Sequence, residues 1–341
     1  MFLFGDKKEL LSIFFGSAFI IAMSRLFACS KVRKVPVLAY HRIVDDESFE
    51  TMVHSDGLVS SSVTAFREQL RYLKKSGYRS VLFLDMADKN FILPKKTVVI
   101  TFDDGFSDNY SLAAAVLEEY GFKAVFFVAT SFVESGRSYW FDEIRNILSI
   151  ESNRRHVFDI LRRYKCDDSL VSSGGVINTL KSINNDKRHA ILVEIKNSPL
   201  IKKQCKSLGF PMNWCEVIKL SSSGHEIGSH TKTHPMLSRL SKEELKEEVC
   251  GSKEDIEDHI KKEVVSFSYP FGGYDSYNAR VIDVVKKAGY LFACNYMSGL
   301  YNVDSIDGFF EINRLHIESD MSIRRFKAVL EFPKIISYRV N

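Results

Sequence analysis

The sequence predicts an α/β fold, a (β/α) barrel of seven to eight strands that carries a helical insertion. Three observations predict it. Short apolar runs such as Val98-Val99-Ile100 and Ala124 to Thr130 alternate with segments of helical period. Runs that are apolar on both faces are the habit of parallel strands lying under helices. Carboxylates and histidines stand at the carboxyl ends of several of these runs, where α/β folds place their chemistry.

Length and composition agree. At 341 residues and 45% hydrophobic content, the chain can bury a large core. A net charge of only +4, spread along the chain, gives no footing for a nucleic-acid partner. The six cysteines, Cys29, Cys166, Cys205, Cys215, Cys250 and Cys294, show no CxxC spacing, so they suggest neither a thiolate metal site nor an oxidising compartment.

The pattern divides the chain into a hydrophobic segment at 1–34, a first part of the barrel at 35–130, an insertion at 131–212 and a second part at 213–341. In the first segment, residues 10–29 are apolar enough to contact or cross a bilayer, with Arg25 near their end. This makes the protein membrane-associated and points to the cell envelope. Arg25, Lys31, Arg33 and Lys34 follow the apolar stretch, a bias that favours a cytoplasmic position for what comes after it.

Taken in order, Val35 to His41 reads as the first strand. Thr64 opens a helix that places Phe66, Leu70 and Leu73 on one face, and Tyr78 to Leu84 is the next strand. The strand at Val98 runs into Thr101-Phe102-Asp103-Asp104-Gly105-Phe106, and a helix follows as far as Gly121. Ser131 to Met212 breaks the rhythm. It holds helical patches at Trp140 to Ile150, His156 to Lys165 and Asp186 to Asn197, joined by polar runs such as Asp167 to Gly175. An insertion of this kind over the strand ends either shapes substrate binding or forms a decorative subdomain. The rhythm resumes with a helix at Trp214 to Ser222 and a strand at His225 to His230. A capping box at Ser241 opens a charged helix. Val264 to Pro270, Leu291 to Tyr296 and Glu311 to Ile317 are the remaining strands, with helices at Ser276 to Ala288 and Met321 to Phe332. Gly77-Tyr78, Gly121-Phe122, Gly209-Phe210 and Gly289-Tyr290 each read as a glycine helix end followed by an aromatic.

Four stretches carry candidate chemistry. Asp103 and Asp104 leave a strand at a glycine turn, so they can enter one pocket from different angles; the plainer reading is a helix cap. His230 and His234 stand four apart, which in a helical turn aims both rings at one metal. Two imidazoles and one carboxylate leave coordination positions open, the pattern of catalytic zinc, though non-haem iron oxygenases use the same set. In Phe267-Ser268-Tyr269-Pro270-Phe271-Gly272-Gly273, proline and glycine let the Phe271 and Gly272 amides face a ligand, with Tyr269 beside them. In Asn313-Arg314-Leu315-His316-Ile317, strand alternation puts Arg314 and His316 on one face.

TFDDGF, SHTKTHP and FSYPFGG, in that order, resemble the signatures of the polysaccharide deacetylases, the NodB-homology domain of carbohydrate esterase family 4. LAYHRI near the start is similar to the opening of one branch of that family. The resemblance spans Val35 to Ile317 apart from the insertion. It implies a distorted (β/α) barrel, one divalent metal (Zn²⁺ first, with Co²⁺, Ni²⁺ or Mn²⁺ as alternatives) and removal of N-acetyl groups, with O-acetyl groups as the alternative, from a glycan or glycolipid. By position, Asp103 is implied as the catalytic base, with Asp104, His230 and His234 as metal ligands and the Phe271 amide in an oxyanion hole. Two departures stand out. The family's arginine in the third motif falls at Ser268, leaving Arg314 either to pair with Asp103 across the barrel mouth or to pair at the surface with Glu311 or Glu318. The late histidine that serves as general acid is matched only loosely by His316, and His41 is the other candidate. Rival readings are a metal amidase of a small non-sugar amide or cyclic imide, an inactive carbohydrate-binding relative and the iron oxygenase.

Overall fold

The computed structural model describes residues 33–55, 58–166, 173–202 and 209–331. Seven parallel strands of these residues close into a barrel: β1 (Val37–Tyr40), β2 (Thr97–Phe102), β3 (Val125–Val128), β4 (Glu226–Ser229), β5 (Ser266–Ser268), β6 (Phe292–Ser298) and β7 (Ile312–His316). Each pairs with its successor in the chain, and β7 pairs back onto β1. Closure removes the open edges that a seven-strand sheet would otherwise expose.

Strand alternation separates the two faces. Val37, Val99, Val125, Phe127, Phe292, Cys294 and Ile312 pack together inside the barrel. Leu38, Tyr40, Val98, Ile100, Phe102 and Phe126 face outward into the core shared with the helices. Following the inward rows two residues at a time toward the carboxyl ends leads from Thr101 to Asp103, from Gly228 to His230, from Ser266 to Ser268 and from Ile312 to Arg314. One periodicity thus brings four polar residues to the same mouth. Gly228 belongs to that row for a steric reason: a Cβ there would lie 2.5 Å from Phe127 Cδ1.

Several elements differ from the sequence reading. Tyr78 to Leu84 is not one strand. Only Arg79–Ser80 pairs with β2, and Phe83–Ala87 is helical. The Leu82 and Leu84 amides donate to the Asp85 and Glu226 carboxylates at 2.9 and 2.8 Å, so no strand neighbour takes them. Val35 leaves the first strand at Pro36 and joins a ribbon with Tyr301–Asn302. Gly77, Gly121 and Gly289 do have positive φ, but Gly209 does not; it sits where a Cβ would meet Phe106 Cε1 at 2.8 Å.

Between β3 and β4 lie helices Thr130–Ser135, Trp140–Ser149, Glu151–Arg163, Ser173–Ser182 and Asn185–Asn197. Ile144, Leu148, Val157, Leu161, Val176, Leu180 and Ile191 give the longer four their own apolar core. The helix at Ser173–Ser182 begins inside the stretch expected as a polar run. No helix of the described residues is long and apolar enough to cross a membrane. The apolar segment at 10–29 lies outside the described residues.

At the opposite end of the barrel Glu226 is buried on the inward row, accepting from the Leu84 amide and the Ser266 hydroxyl. Burial pushes its carboxyl up from 4.5 to about 7. The folded state therefore holds a proton that the unfolded chain releases near pH 4.5, and stability falls as pH rises through this window. Glu226→Gln, which mimics the protonated form, is expected to abolish that slope and to be more stable than the wild type by up to about 3 kcal/mol at pH 8, but not at pH 4. Urea unfolding of both proteins at the two pH values checks this. Parallel pH dependences would show that Glu226 does not hold the proton.

Candidate active site

The turn after β2 shapes the site. Asp103 is still tethered to the barrel, its amide donating to Tyr40 O at 2.9 Å. Simple alternation would turn the next residue outward. Asp104 instead adopts φ 72°, and its carbonyl accepts a hydrogen bond from the Tyr139 hydroxyl. That left-handed step brings Asp104 into the same pocket as Asp103, so it is not a helix cap. Thr231, His234 and Phe271 also have positive φ. Strained non-glycine residues gather where surrounding structure holds a functional geometry.

His230 and His234 converge, but not on a helix. Residues 230–236 form an irregular loop. Glu248 accepts from the Lys232 and Thr233 amides at 2.8 and 2.9 Å, and Thr231 Oγ1 accepts from the His234 amide at 3.0 Å. The left-handed residues then fold the two rings to a centroid separation of 4.7 Å. Both Nε2 atoms stand 3.4 Å from Asp104 Oδ1, which is buried and accepts no hydrogen bond. His230 Nδ1 lies 2.7 Å from the Ser268 carbonyl, which makes Nδ1 the protonated nitrogen and leaves the Nε2 lone pair for a ligand. Burial lowers the His234 pKa to about 3, keeping that ring neutral. A buried carboxylate oxygen equidistant from two imidazole nitrogens is a donor set that could hold a divalent metal.

Asp103 belongs to a separate arrangement. Arg314 donates to Asp103 Oδ1 and Oδ2, both at 2.7 Å, in a two-point pair. The guanidinium is wholly buried and its other hydrogens are used: Nε donates to Asn295 O at 2.8 Å, and the two terminal nitrogens reach Thr101 Oγ1 and Ser268 Oγ at 3.2 and 3.1 Å. Ser268 Oγ also lies 3.3 Å from Asp103 Oδ2. Glu311 and Glu318 are not partners of Arg314; Glu311 accepts from Tyr277 and Glu318 pairs with Arg325. Burial alone would raise the Asp103 carboxyl, but the Arg314 charge outweighs it and holds the group ionised, well below the usual carboxylate range.

The remaining expected residues divide. His41 lines the pocket, and so does Tyr296, whose ring lies edge-on to it at 5.5 Å. His316 stacks on Tyr296 at 3.6 Å and is not part of the pocket wall; burial and the nearby Arg314 lower its pKa to about 3. Tyr269 contributes to the wall, but its hydroxyl donates to Phe310 O at 3.0 Å. Phe271 lines the pocket and meets the His234 ring edge-on at 4.7 Å. Gly272 has φ 58° and accepts from the Tyr296 amide at 2.9 Å. A Cβ there would fall 2.3 Å from that nitrogen, so only glycine fits.

Sequence reasoning allowed the insertion a part in substrate binding but named none of its residues. Phe141, Arg145 and Lys181 line the pocket, a cavity of about 300 Å³, and Tyr139 holds Asp104. The aromatic run Tyr139-Trp140-Phe141 was the available signal.

The fold and pocket define a closed βα barrel with a two-histidine, one-carboxylate centre and a paired second carboxylate at the carboxyl ends of its strands. The chain belongs to the polysaccharide deacetylase family, whose model matches residues 92–293. YxkH of Bacillus subtilis, named for the same family, is 23% identical over 307 residues, covering 89% of this chain and 78% of that protein. The poly-β-1,6-N-acetyl-D-glucosamine N-deacetylase of Escherichia coli is 27% identical over 101 residues, only 29% of this chain and 14% of that one. Among solved structures, the Streptococcus pyogenes deacetylase PplD, determined with acetate, superposes with a TM-score of 0.60 at 20% identity, covering 89% of this chain and all of that one. Membership implies a hydrolase that deacetylates carbohydrate.

Proposed function

We propose that the protein is a metal-dependent N-deacetylase of an acetylated glycan or glycolipid, with Asp104, His230 and His234 holding the metal. The observation that carries this reading is the orphaned Asp104 oxygen, 3.4 Å from both imidazole nitrogens, in the same pocket as an ionised, arginine-held Asp103. Zn²⁺ fits the mixed nitrogen and oxygen donors, with Co²⁺, Ni²⁺ and Mn²⁺ as substitutes. Such a metal supplies acidification of water and polarisation of an acyl carbonyl.

The chain's own residues do the rest. Asp103 takes a proton from the attacking water as its oxygen bonds to the acetyl carbon. Phe271 and Tyr296 shape the wall against which the acetyl group sits. His41, the pocket-lining histidine that is not a ligand, passes a proton to the nitrogen as the C–N bond breaks; burial lowers its pKa and keeps the resting ring neutral, so the proton it passes on is the one Asp103 took from water. The products are acetate and a free amino sugar. His316 lies behind Tyr296 and is better read as its packing partner. The segment at 10–29 is read as a membrane contact, placing the reaction at the cell envelope.

Purified protein is expected to release acetate from acetylated chito-oligosaccharides, to lose this activity by at least tenfold on exhaustive chelation and to regain it with Zn²⁺ or Co²⁺. Hydrolysis of small cyclic imides without acetate release from any glycan would favour the amidase reading instead. Acetate release that survives removal of all metal would overturn the metal centre.

A further inference from the structure

The insertion brings to the pocket a cation that the hydrolytic reading leaves without a task. Lys181, on the helix Ser173–Ser182, lines the cavity with its Nζ 4.5 Å from the centre of the Phe271 ring. Among the described residues it has no ion pair or hydrogen bond, and its ammonium lies over that ring. Arg145, from Trp140–Ser149, lines the same wall, where its Nη1 donates to Asp142 Oδ1 at 2.8 Å. The other charges facing the pocket are engaged, as Arg145 itself is by Asp142. Asp103 is matched by Arg314, and Asp104 turns to the two imidazoles at the proposed metal position, while Asp104 and Asp275 act on Lys181 only at longer range. A mostly buried ammonium costs free energy unless something compensates it. Here burial and the like charge of Arg145 both disfavour the ammonium, and the Phe271 face offsets only part of that.

We propose that the substrate is an anionic acetylated sugar, whose carboxylate or phosphate is held by Lys181 and Arg145 beside the Phe271 ring. This deepens the deacetylase reading and rests on it. The charged group lies toward the insertion while the acetyl group lies toward Asp103 and Asp104. The insertion is then a substrate-selecting wall, not a decoration.

The test compares a neutral N-acetylglucosamine tetramer, the same tetramer carrying one lactyl carboxylate and a third carrying one 6-phosphate. Acetate release and calorimetric binding are measured for each at low and high salt. The wild type is expected to prefer at least one charged tetramer by tenfold or more in kcat/KM, mainly through KM, with matching tighter binding that weakens in salt. Whichever charged tetramer is preferred identifies the group as carboxylate or phosphate. Lys181→Met, which keeps the stem against Phe271, is expected to bring the charged-to-neutral ratio down toward one, and Lys181→Arg to retain it. Equal turnover and binding of all three tetramers would overturn the proposal while leaving the deacetylase reading intact. A Lys181→Met loss of the same size on neutral and charged tetramers would assign Lys181 to the acetyl group and overturn it as well. Acetate release from none of them would bring down the deacetylase reading and this inference together.

Discussion

Asp103→Asn is expected to keep about one metal per chain and lose turnover by roughly a thousandfold, within the usual range for removing a general base. Asp104→Asn is expected to lose both metal and turnover. The geometry separates the two residues, although they are adjacent. Asp104 turns its unpartnered oxygen to two imidazoles, while both oxygens of Asp103 are taken by Arg314. Stability should separate them in the opposite sense. Asn at position 103 leaves a wholly buried guanidinium without its counter-charge, a loss of about 3–5 kcal/mol for a broken buried pair. Asn at position 104 leaves that pair alone and suits the left-handed conformation found there. Metal content by mass spectrometry, acetate release and urea midpoints in the presence of chelator give three readings for each variant. Equal loss of metal in both would end the division of labour, and so would an Asp103→Asn protein as stable as the wild type.

What could be read in advance follows the range of the interactions concerned. The barrel was legible because buried parallel strands are apolar on both faces over a few consecutive residues, as at Val98 to Ile100. Arg314 was legible as an inward residue because alternation along β7 is local, and its placement beside Asp103 follows once the barrel closes. The convergence of His230 and His234 was legible as a pair but not as a geometry. A spacing of four suggested a helical turn, whereas the loop is set by Glu248, a residue from a later segment. The false strand at Tyr78 to Leu84 has the same origin: Glu226, far along the chain, takes the Leu84 amide. Lys181 lay beyond reach because its stretch was read as no element, and Arg145 because a cation on a helix reads as solvent-facing until the helix is docked over a pocket.

Arg314→Met is expected to cut turnover by roughly a hundredfold or more and to destabilise the protein by about 3–5 kcal/mol at pH 7. The guanidinium is the only cation paired with Asp103 among the described residues, and no part of it reaches water. With it gone, burial becomes the dominant influence on the carboxyl and raises its pKa. The sign of the stability effect then reverses. In the wild type the folded carboxyl is held below its unfolded value, so the pair's contribution is present above about pH 4 and is lost only in stronger acid. In the variant the folded carboxyl lies above the unfolded value, and a penalty grows as pH rises from about 4 toward 7. The gap between the two proteins therefore widens with pH, and the acid limb of the variant's rate profile moves upward. A merely structural arginine would give the instability without moving that limb. The double variant Arg314→Met/Asp103→Leu separates the two roles, because replacing both partners of a buried pair by apolar groups is often neutral or stabilising. It is expected to recover most of the lost stability and none of the turnover. Turnover within a few-fold of the wild type in Arg314→Met, with an unshifted acid limb, would mean that Ser268 and the backbone alone hold Asp103.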